Sequence, residues 1–84
     1  MVYPKYNFTD PALSYAVVSN TVMDMYSDLL ESHKCCGSKQ SDQILSQADL
    51  FITGADIDFT LGDVSRYQDN VKSAYLLLYN YVSQ

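Results

Sequence analysis

The clearest order in the chain is the spacing of its apolar residues. Tyr15, Val18, Val22, Met25 and Leu29 recur at alternating steps of three and four, which puts their side chains on one face of an α-helix. Ala16, Met23 and Leu30 add a second apolar line beside the first, and Asn20, Asp24, Ser27 and Glu31 stand behind it. This stripe predicts a helix over 11–35. Thr9 or Asp10 supplies an N-cap, and Pro11 suits the first turn because it has no N–H to leave unpaired. At the far end His33 and Lys34 complement the negative helix pole, and Gly37 fits a left-handed C′ position.

A second stripe, Ile44, Leu45, Ala48, Phe51, Ile52 and Ala55, predicts a helix over 40–54 capped by Ser38 or Ser41. Gly54 weakens it by up to ~1 kcal/mol. Beyond Gly54, Ile57, Phe59 and Leu61 alternate with Asp56, Asp58 and Thr60 at a period of two. No second strand offers a partner. The stretch 55–61 is therefore expected to be an irregular or one-turn connection that tucks Phe59 and Leu61 into the core. Val64, Tyr67, Val71, Ala74, Leu78 and Tyr81 return to the three-four spacing and predict a third helix over 62–82.

Two long seams with a shorter helix between them imply an all-α fold, a small three-helix bundle packed at a shallow ~20° crossing. The expected core is Val18, Val22, Met25, Leu29, Ile44, Ala48, Phe51, Val64, Val71 and Leu78. Residues 1–84 form one domain. Residues 1–9 read as an extended aromatic N-terminal arm, since Tyr3, Pro4, Tyr6 and Phe8 fall within six positions. Such an arm either lies back on its own bundle or clasps another chain.

Charge narrows the function. Five Lys and Arg against ten Asp and Glu give a net charge of −5 and a pI near 4.3. Proteins that bind nucleic acid directly gain most of their affinity from clustered cations on phosphates, so a nucleic-acid binder acting alone is not expected. No apolar run approaches a membrane span, and the first residues lack a basic-then-apolar signal. Cys35 and Cys36 are adjacent; neighbouring Cα atoms lie ~3.8 Å apart, inside the ~4.4 Å lower limit for an ordinary disulfide. Two free thiols point to a reducing, intracellular (cytoplasmic) setting.

Candidate chemistry is sparse. Glu31, His33, Cys35 and Cys36 are possible metal ligands, but they form one cluster with no second half to complete a tetrahedral site. A Cys–His catalytic pair at His33 is disfavoured because residues so close in one helical turn point in different directions. A calcium loop opening at Asp56 and Asp58 would need Gly where Leu61 stands and Glu where Tyr67 stands. Gly37, Gly54 and Gly62 are isolated, so no glycine-rich loop cradles a phosphate. The expectation is no enzyme, no cofactor and no metal.

The C-terminus stands out instead. From Ala74 to Val82 only Asn80 has a purely polar side chain, and nine such residues wrap the whole helix when a bundle hides one side. Part of this end should form an exposed contact patch. Eight Tyr and no Trp resemble the composition of interfaces. The expected contact residues are Tyr3, Tyr6 and Phe8 on the arm and Tyr75, Leu76, Tyr79 and Tyr81 on the last helix. The expected function is a non-catalytic structural or interaction subunit of a larger assembly such as a virion, with protein partners or copies of itself. A small acidic inhibitor occupying a basic site on a nucleic-acid enzyme is the rival.

Overall fold

The computed structural model describes residues 3–82 and shows an all-helical three-helix bundle. Met1 and Val2 of the expected arm lie outside the described residues. Helix α1 runs Tyr15–Cys36, α2 Lys39–Leu61 and α3 Val64–Val82. Helix α3 packs against both others, while α1 and α2 meet over a smaller area.

Helix α1 starts later than its sequence signals suggest. Asp10 does cap a turn, but a tight one: its carboxylate accepts from the Ala12 N–H at 2.9 Å and its carbonyl from Leu13 at 3.2 Å. The preceding turn closes from Asp10 N–H to the Asn7 carbonyl at 3.1 Å. These two turns let Phe8 reach Tyr15 and Tyr75, at ring-centroid distances of 6.1 and 5.4 Å. Ser14 then becomes the N-cap residue, without a side-chain bond.

The α1–α2 junction is two residues long. Ser38 forms a capping box with Ser41, its hydroxyl accepting from the Ser41 N–H at 3.1 Å while the Ser41 hydroxyl accepts from the Ser38 N–H at 2.9 Å. Gly37 is not left-handed; its φ of −63° and ψ of 147° lead directly into the extended cap. Its glycine is required by crowding: a Cβ would stand 2.4 Å from His33 Nδ1 and 2.5 Å from the His33 carbonyl oxygen.

Helix α2 does not stop at Gly54. It continues through 55–61, in place of the expected irregular or one-turn connection. Gly54 lies against α3, where a Cβ would come within 3.0 Å of Asn70 Nδ2. The same amide donates to buried Asp58 at 2.8 Å. The helix ends at left-handed Gly62 (φ 78°), whose N–H reaches Phe59 while Asp63 N–H reaches the Asp58 carbonyl at 2.9 Å, a Schellman closure. Asp63 caps α3 by accepting from the Arg66 N–H at 3.2 Å.

The buried core comprises Val18, Val22, Met25 and Leu29 on α1, Leu45, Ala48 and Ala55 on α2, and Val71, Ala74, Tyr75 and Leu78 on α3. Three expectations need correction. Ile44 and Phe51 pack at the margin, because Leu45 and Ala48 face inward. Phe59 and Leu61 are 70% and 75% exposed: continuing the helix turns Leu61 to its outer side, while Phe59 keeps the register of Ala48 and Ala55 but lies past the end of the core, against Tyr67. Val64, at 62% exposure, sits at the bundle end beyond the reach of the core.

Candidate functional site

Sequence reasoning placed the contact surface on the arm and the end of α3. The structure distributes those residues differently. Tyr75 is 2% exposed, a core residue and not part of an open patch. Its ring meets Tyr6 edge-on at 5.4 Å and stacks on Tyr79 at 5.3 Å, and its hydroxyl donates to the Pro4 carbonyl at 2.8 Å. Burial pushes its phenol above the ordinary value. Tyr79, Tyr81, Tyr3, Tyr6 and Phe8 are half-buried against the same core. Leu76 alone among the α3 candidates is properly exposed, at 41%.

The arm covers its own bundle and is held there by named bonds. Thr21 donates to the Val17 carbonyl at 3.4 Å, which leaves its oxygen to accept from Tyr6 at 2.7 Å. The Tyr3 hydroxyl donates to Asp28. Burial first, then this bond and the nearby charges of Asp28 and Asp24, push the Tyr3 phenol up to about 12. Lys72 stands 5.7 Å from the Phe8 ring centroid, within cation–π range.

One arrangement was not anticipated. His33 Nδ1 lies 2.8 Å from the Ser41 hydroxyl, and His33 Nε2 lies 3.9 Å from Asp42. The residue types match a nucleophile–base–acid relay, but the roles do not. Ser41 is buried and already engaged by the Ser38 N–H and carbonyl at 2.9 Å each. A nucleophile must face an open substrate position; this hydroxyl is spent on the cap. The trio is a latch between α1 and α2. The i-to-i+8 separation crosses a helix break, so periodicity could not reveal it.

Cys35 and Cys36 are free and exposed. The Cys36 thiol is raised above its usual value, chiefly by its hydrogen bond to Cys35, the opposite of activation. Among the described residues no group of three His, Cys, Asp or Glu side chains converges.

The most exposed apolar side chains are on α2 and its exit turn, with Val17 and Met23 on α1 at 50% and 46%. Leu50, Ile57, Phe59, Leu61 and Val64 are all more than half exposed. Leu50, Ile57 and Leu61, at steps of seven and four, form a ridge on the outer side of α2, opposite the core line Leu45, Ala48 and Ala55. Phe59 rests on Tyr67 at 5.4 Å and, with Val64 and Gly62, shapes a notch of about 340 Å³. A second hollow of about 220 Å³ lies between α1 and α2, floored by Val22, Val71 and Ala74 and rimmed by Met23, Ile52 and Asp56. It falls below the ~300 Å³ usual for small-molecule sites.

Comparison with protein-family models, with curated proteins and with solved structures finds no match to this chain.

Proposed function

We propose that this chain is a non-catalytic interaction subunit that binds other protein chains within a larger assembly, a virion-like particle being one such setting. The observation that supports it most is the cluster of exposed apolar side chains on outer α2 and the α2–α3 turn, from Leu50 through Val64. Exposed apolar side chains grouped along one element in this way mark contact sites. Leu76 adds a smaller contact on α3. The rival reading, an acidic inhibitor of a basic enzyme site, is favoured by the exposed aspartates Asp42, Asp49 and Asp56 on the same helix.

Two measurements test the proposal. Light scattering of the purified chain reads self-association, and photo-crosslinkers at positions 59 and 61 in the native extract read foreign partners. The expected result is adducts or oligomers that disappear in Phe59→Ser/Leu61→Ser with the helical spectrum unchanged. A monomer giving no more adducts from 59 and 61 than from the polar position 20 would refute it. Association that collapses with added salt favours the inhibitor reading, whereas apolar assembly is salt-tolerant.

A further inference from the structure

The outer face of α2 carries its exposed charge on one side. Asp42, Asp49 and Asp56 recur every seven residues and are exposed. Each of the last two immediately precedes a ridge residue, Leu50 and Ile57, so the acidic row lies beside the apolar ridge, about 100° round the helix. The ridge's other flank carries Gly54 and the buried Asp58, which pack against Asn70 of α3, so the exposed charge lies on one side only. No Lys or Arg follows Lys39 within α2, and among the described residues neither Asp49 nor Asp56 has an ion-pair partner. Successive aspartates stand about 10 Å apart along the axis, comparable to the Debye length, so Asp49 and Asp56 interact mainly with whatever cation is brought to them, whereas Asp42 already faces His33 at 3.9 Å.

Resting on the interaction reading above, we infer that this face docks an amphipathic helix of another protein, with an apolar i, i+3/4, i+7 stripe on the Leu50–Ile57–Leu61 ridge and Lys or Arg along one flank opposite Asp49 and Asp56. The ridge is about 16 Å long, roughly three turns of a partner helix. A helix matches its seven-four spacing, whereas a strand presents side chains every second residue. Phosphate-rich or anionic lipid surfaces are repelled by the aspartate row. A second copy is the poorer occupant: it brings its own net charge of −5, and an antiparallel pairing of the two α2 faces sets one aspartate row against the other. Like charges so juxtaposed oppose association.

The test uses the full chain and two labelled synthetic helical peptides of about five turns. Both carry Leu at i, i+3/4 and i+7; one has Lys on its flanks and the other Glu. Anisotropy titrations at low salt should favour the Lys peptide by at least about tenfold. Asp49→Asn/Asp56→Asn should weaken it about three- to tenfold, two exposed ion pairs' worth. Leu50→Ser/Ile57→Ser, at positions exposed enough to spare the fold, should weaken it at least about thirtyfold. Amide shift changes should centre on 50–61. Equal affinity for both peptides, indifference to the aspartate changes, or shifts centred on the α1–α2 hollow would overturn the inference. A chain dimer dissolved by Leu50→Ser/Ile57→Ser would assign the face to a second copy, overturning this inference and leaving the interaction reading intact. Loss of neither peptide binding nor any association in that variant defeats both.

Discussion

Tyr75 and Leu76 are neighbours in sequence with opposite fates, and their replacement discriminates core from contact surface. Tyr75 is buried between Tyr6, Phe8 and Tyr79, and Leu76 is 41% exposed. Removing a buried aromatic ring costs ~3–5 kcal/mol through lost transfer energy and the cavity left behind. Two ring contacts come from the arm, so Tyr75→Ala also unfastens residues 3–8. A chain of this length has a total stability of about 4–13 kcal/mol, so the variant should be near or past its unfolding limit. Urea unfolding followed by circular dichroism is the assay. With m on the order of 1 kcal/mol/M, the midpoint falls by roughly 3 M. Leu76→Ser should move it by less than about 0.5 kcal/mol. Tyr75→Phe keeps the ring contacts and removes only the bond to the Pro4 carbonyl, costing about 0.5–1.5 kcal/mol, with faster amide exchange confined to the arm. A Tyr75→Ala variant as stable as wild type, or a Leu76→Ser variant equally damaged, would refute the assignment.

Other expectations follow from single contacts. Gly37→Ala should destabilise by about 2 kcal/mol or more, because the new Cβ meets the His33 carbonyl and backbone cannot move cheaply; Gly62→Ala, strained only by its positive φ and with open space around it, should cost about 1 kcal/mol, and thermal melts rank the two. Asn70→Leu strips buried Asp58 of its donor and should cost about 1–3 kcal/mol, partly recovered in the double variant with Asp58→Leu. Tyr3, raised to about 12 from 10, binds its proton more tightly folded than unfolded. Its contribution is therefore complete below pH 10 and lost as pH climbs towards 12, visible as late ultraviolet ionisation that Asp28→Asn brings earlier. Replacing Cys35 and Cys36 by Ser should leave stability within about 1 kcal/mol, since both are exposed; a larger loss in denaturant melts would contradict this.

Local physics was enough to read the α1 seam and the fold class, but not where α1 starts or how Gly37 leaves it. The seam Val18, Val22, Met25 and Leu29 is buried as its spacing requires, because a long three-four period has one way to hide its apolar face. The α2 cap was legible as a choice between Ser38 and Ser41, three residues apart; the structure makes Ser38 the cap and Ser41 its partner in the box. The course of 55–61 was not. Its alternation resembles a strand and Gly54 resembles a stop, yet Asn70, twelve residues beyond Asp58, makes Gly54 a packing position and keeps the helix running. That rotation puts Leu61 on the surface, while Phe59, on the core side, is exposed because it lies beyond the bundled part of the helix. Tyr75 shows the reverse. Its apolar surroundings suggested a surplus of exposed circumference, but Pro4, Tyr6 and Phe8 return across roughly seventy positions to cover it. Helix periodicity reports what a residue does within a few turns of itself. Which apolar side is covered by a distant segment, and which is left for a partner, depends on contacts between residues far apart in the chain, and the tertiary structure alone decides them.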